Sequence, residues 1–417
     1  MKDLLAHFSR KHYYNHEELF KEKHYKNNTL LKDVDLDEFW QAISEFRSQQ
    51  CDTVELLDKK GNKLRFFANE IIKTQVERLH EEASSQLEDL IPDEIKDAAL
   101  MDSIIDEAFS SSVIEGAFST RKRAQEMITK KLDPKTKSEL MIFNNYKAIR
   151  YTLENIDEEI TPDFIYRVWL LLTKDTLEEG DYTERFRTGP VYIKNKSGEI
   201  VYEGVDHKIV PEKMDSLVWF INEKTDGVHP IIKSIIIHYY FVYVHPFFDG
   251  NGRTARALMN LYLIKSGYDF FKYFSISKIL VEKRSKYYEA IKTCEDMDND
   301  ITYFIEFYSV LLVQTIAEIR KTYISQFSKK AIVELLGKKG IVLNARQLKT
   351  LDVAIKNNRK SIDINEYIKK HKVVQETARK DLGQMVEYGM FEKNKVGKKY
   401  VYSLKEIVSV IASLNEN

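Results

Sequence analysis

A histidine, a carboxylate, an asparagine, two glycines and two arginines fall between His245 and Arg256, in the run His245-Pro246-Phe247-Phe248-Asp249-Gly250-Asn251-Gly252-Arg253-Thr254-Ala255-Arg256. Upstream, Ile231 to Val244 is almost wholly apolar and reads as a buried helix. Downstream, Arg253 to Lys265 repeats apolar residues at helical spacing. Asp249 to Gly252 therefore joins two helices and ends at the N-terminus of the second. Gly250 and Gly252 allow a tight turn that leaves amide N–H groups pointing outward. With the positive end of the helix dipole, those groups form an anion site suited to phosphate. Asp249 offers hard oxygen to a Mg²⁺ ion. Arg253 and Arg256, spaced i and i+3, suit phosphate oxygens, and His245 is placed to act as a general base. A base beside a metal-bound polyphosphate implies a hydroxyl attacking a nucleotide phosphate.

The same run resembles the signature of the Fic (filamentation induced by cAMP) family, H-x-F-x-D/E-G-N-G/K-R with a further arginine three residues on; every specified position is matched from His245 to Arg253, and Arg256 supplies the last arginine. The resemblance implies a helical core and a protein adenylyltransferase, which moves AMP from ATP to a Ser, Thr or Tyr hydroxyl of a target protein and releases pyrophosphate. His245 would deprotonate the hydroxyl, and Asp249 would bind Mg²⁺ between the α- and β-phosphates. The Gly250 and Gly252 amides would cradle the phosphates and Asn251 would position the α-phosphate. Arg253 would meet the β-phosphate and Arg256 the γ-phosphate, with Thr254 and Ala255 completing the nucleotide-binding turn.

Two further segments carry the resemblance. Ser111, Glu115 and Gly116 satisfy the family's inhibitory pattern S/T-x-x-x-E-G/N near the end of a helical stretch, Asp102 to Ala117. There the glutamate would pair with Arg256 and block the γ-phosphate site, placing the chain in the class whose inhibitory helix precedes the core. Phe186 to Tyr202 reads as a β-hairpin around Asn195-Lys196-Ser197-Gly198. It is similar to the Fic flap, with Val191, Tyr192, Ile193 and Lys194 forming the edge that binds the target backbone and borders the nucleotide. Ile276 to Glu295 reads as one helix presenting Tyr287 and Tyr288, a pair that the resemblance places beside the nucleotide. Glu295 stands where the family often has asparagine. Asp300 is expected to cap the helix that follows.

The rest of the chain supplies context. Of 417 residues 43% are hydrophobic, only seven are proline, and the net charge is −1, which gives ample core and no overall pull toward nucleic acid or membrane. The N-terminus lacks a signal peptide's apolar core, no run is long enough for a membrane span, and Cys51 and Cys294 suggest no disulfide framework. A cytoplasmic protein is the expectation. His7, His12, His16 and His24 lack a zinc-helix spacing and read as solvated. The expected organisation is mainly α: an N-terminal helical and hairpin region over 1–91, a Fic core with its inhibitory helix over 92–328, and a winged helix-turn-helix over 329–417.

That last segment holds 19 basic and 10 acidic residues, a balance of +9 that leaves −10 elsewhere. Asp363 to His371 and Gln375 to Tyr388 read as helices, and Phe391 to Tyr402 as a basic hairpin. Gln375, Thr377, Arg379 and Lys380 are candidate groove readers, and Lys393, Lys395, Lys398 and Lys399 candidate phosphate contacts. DNA and protein partners both remain open for it, and a second copy of the chain is a further candidate. Three other functions compete with AMP transfer. A Fic-related kinase that moves the γ-phosphate would be expected to depart from the GNGR pattern, which Arg253 completes here. A de-AMPylase would use the same site with Glu115 activating water. A DNA-binding regulator that merely keeps a Fic fold would be expected to show a damaged site, and this one is intact.

Overall fold

Two consecutive helices, α10 (Pro230–Val244) and α11 (Asn251–Lys265), form the spine that carries the candidate site residues from His245 to Arg256. Pro230 occupies the first turn of α10, where its missing N–H costs nothing. Buried residues line nearly every face of α10, so hydrophobic contact rather than amphipathicity fixes its position. Its one lysine, Lys233, is buried and reaches Asp226 at 2.6 Å.

The computed structural model describes residues 2–10, 13–84, 93–194, 200–356, 361–397, 399–406, 409–410 and 413–414. They fall into two units, 1–316 and 317–417. The first unit begins with α1 (Lys2–Arg10), α2 (His16–His24), α3 (Leu36–Ser48), the hairpin β1 (Asp52–Leu57)–β2 (Lys63–Phe66) and α4 (Glu70–Ser84). Then come α5 (Asp93–Ile114), α6 (Arg121–Thr129), α7 (Lys137–Glu154) and α8 (Pro162–Thr173). The antiparallel strands β3 (Tyr192–Lys194) and β4 (Ile200–Glu203) precede α9 (Val210–Asn222), α10 and α11. The unit closes with α12 (Ile276–Glu282), α13 (Arg284–Asp296) and the start of α14 (Thr302–Lys338).

The described residues from Lys2 to Ser84 pack into this first unit. Tyr13 OH donates to Asp300 at 2.5 Å, Tyr240 OH to Leu57 O at 2.9 Å, and the Lys59 N–H to Tyr243 OH at 2.8 Å. The tip of the β1–β2 hairpin thus braces the last two turns of α10. Ile276 to Glu295 is two helices rather than one, because Lys283 leaves helical geometry at φ −114° and ψ 21°. Asp300 caps α14 from one residue further out than expected, accepting from Thr302 N–H at 3.2 Å and Thr302 Oγ at 2.6 Å.

In the second unit, α15 (Ala345–Lys356), α16 (Ile364–His371) and α17 (Gln375–Glu387) stand with a three-stranded antiparallel sheet of order β5 (Ser361–Asp363), β7 (Lys399–Leu404), β6 (Phe391–Val396). Asp381 on α17 ties the helices together: it accepts from Arg346 Nε at 2.7 Å and Tyr367 OH at 2.9 Å. The sequence reading found α16, α17 and the β6–β7 pair but not α15 or β5. Among the described residues no helix is long and apolar enough to cross a membrane.

Candidate active site

The loop between α10 and α11 is held by its own residues before any ligand is considered. Helix α10 ends with His245 in the left-handed region, φ 52° and ψ 62°. Four residues later the Asn251 carboxamide accepts from Phe247 N–H at 3.0 Å and donates to Phe247 O at 2.8 Å. This reciprocal pair closes the loop and keeps the Asn251 side chain buried in it. What Asn251 offers an anion is therefore its main-chain N–H. Trp169 of α8 stacks on Phe247, with centroids 4.3 Å apart and planes 10° apart, and its indole N–H donates to Asp249 O at 2.8 Å. Sequence reasoning missed Trp169, since one tryptophan in an apolar helix carries no signal beyond core packing.

Gly250 is the N-cap of α11 at φ +84°, and a Cβ there would lie 2.7 Å from the Thr173 methyl. A glycine is required on both counts. It brings no side chain to cap the first N–H groups of α11, which leaves them for an anion. The anion present is Glu115. Its Oε1 lies 2.8 Å from Arg256 Nη2 and so close above Gly252 that a Cβ on that residue would sit 2.1 Å away.

Glu115 is delivered there by the C-terminal turn of α5. Ala117 N–H bonds to Ser112 O at 3.0 Å and Gly116 N–H to Val113 O at 3.0 Å, with Gly116 at φ +93°. This Schellman pattern fixes the residue just before the glycine. Ser111, one turn earlier, accepts from Arg256 Nε through its hydroxyl at 2.8 Å and from Arg256 Nη2 through its carbonyl at 2.9 Å. Burial opposes the Arg256 charge, while Glu115, followed by Tyr287 and Tyr308, favours it, and together they leave the guanidinium's pKa raised. Arg256 Nη1 is buried and has no hydrogen-bond partner among the described residues, nor has Arg253 Nε. Arg253 is fully buried; its Nη1 donates to Leu172 O at 3.1 Å and its Nη2 lies 3.4 Å from Asp249 Oδ2.

His245 Nδ1 lies 3.1 Å from Val242 O, so Nδ1 carries the proton and Nε2 keeps a free lone pair. Burial pushes its pKa down to about 4, against the opposing effects of the Val242 carbonyl, Glu115 and Asp249. The imidazole is neutral near pH 7, as a general base must be. Of the tyrosine pair, Tyr287 is buried with its hydroxyl 3.0 Å from His238 Nε2, and Tyr288 is 42% exposed. Burial raises Glu295 to about 7, with Lys59 opposing.

The hairpin pairs Tyr192 with Glu203 and Ile193 with Tyr202, and Tyr202 OH donates to Tyr243 O, two residues before the base. Its turn, with Asn195 to Glu199, lies outside the described residues. For Mg²⁺, Asp249 provides one half-exposed carboxylate, and no group of three His, Cys, Asp or Glu side chains gathers for a metal among the described residues.

Known proteins resemble parts of this chain. The protein adenylyltransferase Fic of Drosophila virilis is 33% identical over 135 residues, 32% of this chain and 24% of that one. The Drosophila melanogaster protein of the same name matches equally, at 33% over 135 residues and the same shares. The matched stretch thus spans about a quarter of the length of these relatives. Among solved structures, a Fic family protein from Desulfovibrio desulfuricans G20 has a TM-score of 0.53 at 18% identity, covering 81% of this chain and 96% of that one. A fragment of Fic-1 from C. elegans has a TM-score of 0.50 at 18% identity, covering 71% and 79%. At such identities these neighbours bear on the fold. Residues 159–263, from the approach to α8 almost to the end of α11, match the family model of Fic/DOC proteins, and the loop from His245 to Arg256 lies within that stretch.

Proposed function

We propose that the protein is an ATP-dependent, autoinhibited protein adenylyltransferase. The observation that carries this is the position of Glu115: its carboxylate lies on Arg256 and over the N-terminus of α11, beside a neutral histidine. Two positive features converge there on a carboxylate, and the same two features suit a phosphate. In the active state the ATP phosphates replace Glu115. His245 Nε2 takes the proton of the acceptor hydroxyl, the hydroxyl oxygen bonds to the α-phosphorus, and the bond from it to the β-phosphate oxygen breaks to release pyrophosphate. Mg²⁺ held by Asp249 would neutralise phosphate charge when bound. The β3–β4 hairpin serves as the flap on which a target strand docks, supported by the exposure of Tyr192 on its first strand. Tyr288 borders the nucleotide, and Tyr287 supports it from the core.

Incubating the full chain and candidate targets with α-labelled or γ-labelled ATP tests the reaction. Label on protein from the α position alone is expected; label from the γ position would mean phosphoryl transfer instead. The same residues could run AMP removal with Glu115 activating water, and loss of label from a pre-modified target would identify that direction.

For the second unit we propose a winged helix. Gln375, Arg379 and Lys380 are exposed on α17 and Lys393, Lys395 and Lys399 on the strands, while Thr377 is half-buried and Lys398 lies outside the described residues. The basic balance of this segment favours duplex DNA as its partner.

A further inference from the structure

Arg187, in the segment between α8 and β3, is 2% exposed and spends its guanidinium on main-chain carbonyls. Nε donates to His245 O at 2.7 Å, Nη1 to Gly189 O at 2.7 Å, and Nη2 to Val205 O and, at 3.4 Å, to Val244 O. The Arg187 N–H adds a bond to Pro246 O at 2.9 Å. Gly189 and Val205 flank the two strands of the β3–β4 hairpin. Val244 and His245 are the end of α10, where helix carbonyls lack intrahelical partners and a cation is favoured. One planar fork of five donors therefore joins both roots of the hairpin to the backbone of the base.

The fork fits because Gly204 gives it room: a Cβ on Gly204 would lie 2.6 Å from Val191 Cγ1 and 3.0 Å from Arg187 Nη2. The join also falls where the backbone needs support. His245 is a non-glycine residue in the left-handed region, a strained conformation that persists only where its surroundings impose it.

We propose that Arg187 is a positioning residue for AMP transfer: by fastening both roots of the β3–β4 hairpin to the His245 main chain, it sets the docked acceptor hydroxyl and the base in one geometry. This rests on the adenylyltransferase reading above. Its charge has a second effect, since Arg187 opposes protonation of His245 while Glu115, Asp249 and the Val242 carbonyl favour it.

The test compares the full chain with Arg187→Lys, Arg187→Gln and Gly204→Ala, each also carrying Glu115→Gly for the transfer assay. Two quantities are read: the His245 titration midpoint by NMR, which needs no activity, and kcat and KM with α-labelled ATP. Arg187→Gln removes the charge and most of the fork. Its midpoint should rise measurably above that of the matched parent while staying below the ordinary value of about 6.5, because burial, the larger cause of the depression, remains. Arg187→Lys keeps the charge but not the fork, so its midpoint should stay low. Both should lose kcat by about tenfold or more, as small misplacements do, with KM for ATP nearly unchanged. Gly204→Ala pushes on the same fork while keeping arginine, and decides the matter if the Arg187 variants fail to fold.

Parental kcat in Arg187→Lys or in Gly204→Ala would overturn the proposal, as would an unmoved midpoint in Arg187→Gln. If the parent transfers no AMP, the functional reading fails by itself, and the midpoint still tests whether Arg187 governs His245.

Discussion

Glu115 and Arg256 are each taken largely out of water, and each is the other's counter-charge. Removing one partner of such a pair ordinarily leaves a buried charge uncompensated and is costly. Here Ser111 still holds Arg256 through its hydroxyl and carbonyl, so Glu115→Gly should fold with the arginine in place and its anion seat vacant. That variant should transfer AMP at least about tenfold faster than the parent, because the α-phosphate is no longer misplaced for in-line attack. Adding Arg256→Ala should cancel the gain. Self-labelling with α-labelled ATP at fixed Mg²⁺ checks both, and a Glu115→Gly protein no faster than the parent would refute the inhibitory role. His245→Ala should abolish transfer while ATP binding, measured by calorimetry, stays nearly intact, since proton removal rather than phosphate contact is lost. The pH profile follows from the depressed pKa. A base neutral above about 4 keeps its lone pair through the mildly acidic range, so activity of the Glu115→Gly form should not fall near 6.5. Removing Glu115 also removes a charge that favours protonation, which moves the midpoint lower still.

Elements deliver those side chains, and they were legible in the sequence to the extent that local chemistry specified them. The all-apolar run before His245, the glycines at 250 and 252 and the apolar repeat beyond Arg253 each imply one local structure, and α10, loop and α11 follow. The helix end beside Glu115 was legible as a capping pattern, which Gly116 at φ +93° carries out, but the pairing of Glu115 with Arg256 was expected only from the resemblance to the Fic inhibitory pattern. The break at Lys283 was not legible, because no glycine or proline marks it. Neither was the commitment of Asn251 to Phe247, since a carboxamide's partners are settled by the loop's closure and not by spacing. Trp169 and Arg187 escaped because their partners are main-chain carbonyls 80 and 58 residues away. The capping argument gives a prediction at this scale. A Cβ on Gly116 meets nothing within 4 Å, so Gly116→Ala suffers only from its left-handed backbone, about 1–2 kcal/mol. The turn that presents Glu115 should loosen, and the variant should be more active than the parent but less active than Glu115→Gly. A thermal melt should show the matching modest loss of stability, and unchanged basal activity would show that the turn does not set the carboxylate's position.

At the scale of the whole chain, the question is what each unit contributes. The residues assigned to catalysis and inhibition, from Ser111 to Tyr288, all lie within the first unit, as do the β1–β2 hairpin that braces α10 and the capping contacts of Asp300. The second unit has a separate hydrophobic core, built from Leu351, Tyr367, Leu382, Met385 and Phe391 among others, and its own buried polar anchor at Asp381. It also carries the basic excess: residues 329–417 within it balance at +9, against −10 for the rest of the chain. Partial independence of the two follows. A chain ended at Ser328 keeps α14 past the boundary at 316 and should retain AMP transfer in the Glu115→Gly background within about twofold, while any affinity for duplex DNA should vanish. In the full chain that affinity should fall steeply with salt, because lysines and arginines that contact phosphates release counterions as they bind. Fluorescence anisotropy of a labelled duplex over a salt series reads this directly. A full-length protein that shows no salt-sensitive binding would leave the second unit as a protein-contact module. Loss of transfer in the shortened chain would mean that the catalytic unit depends on residues beyond 328.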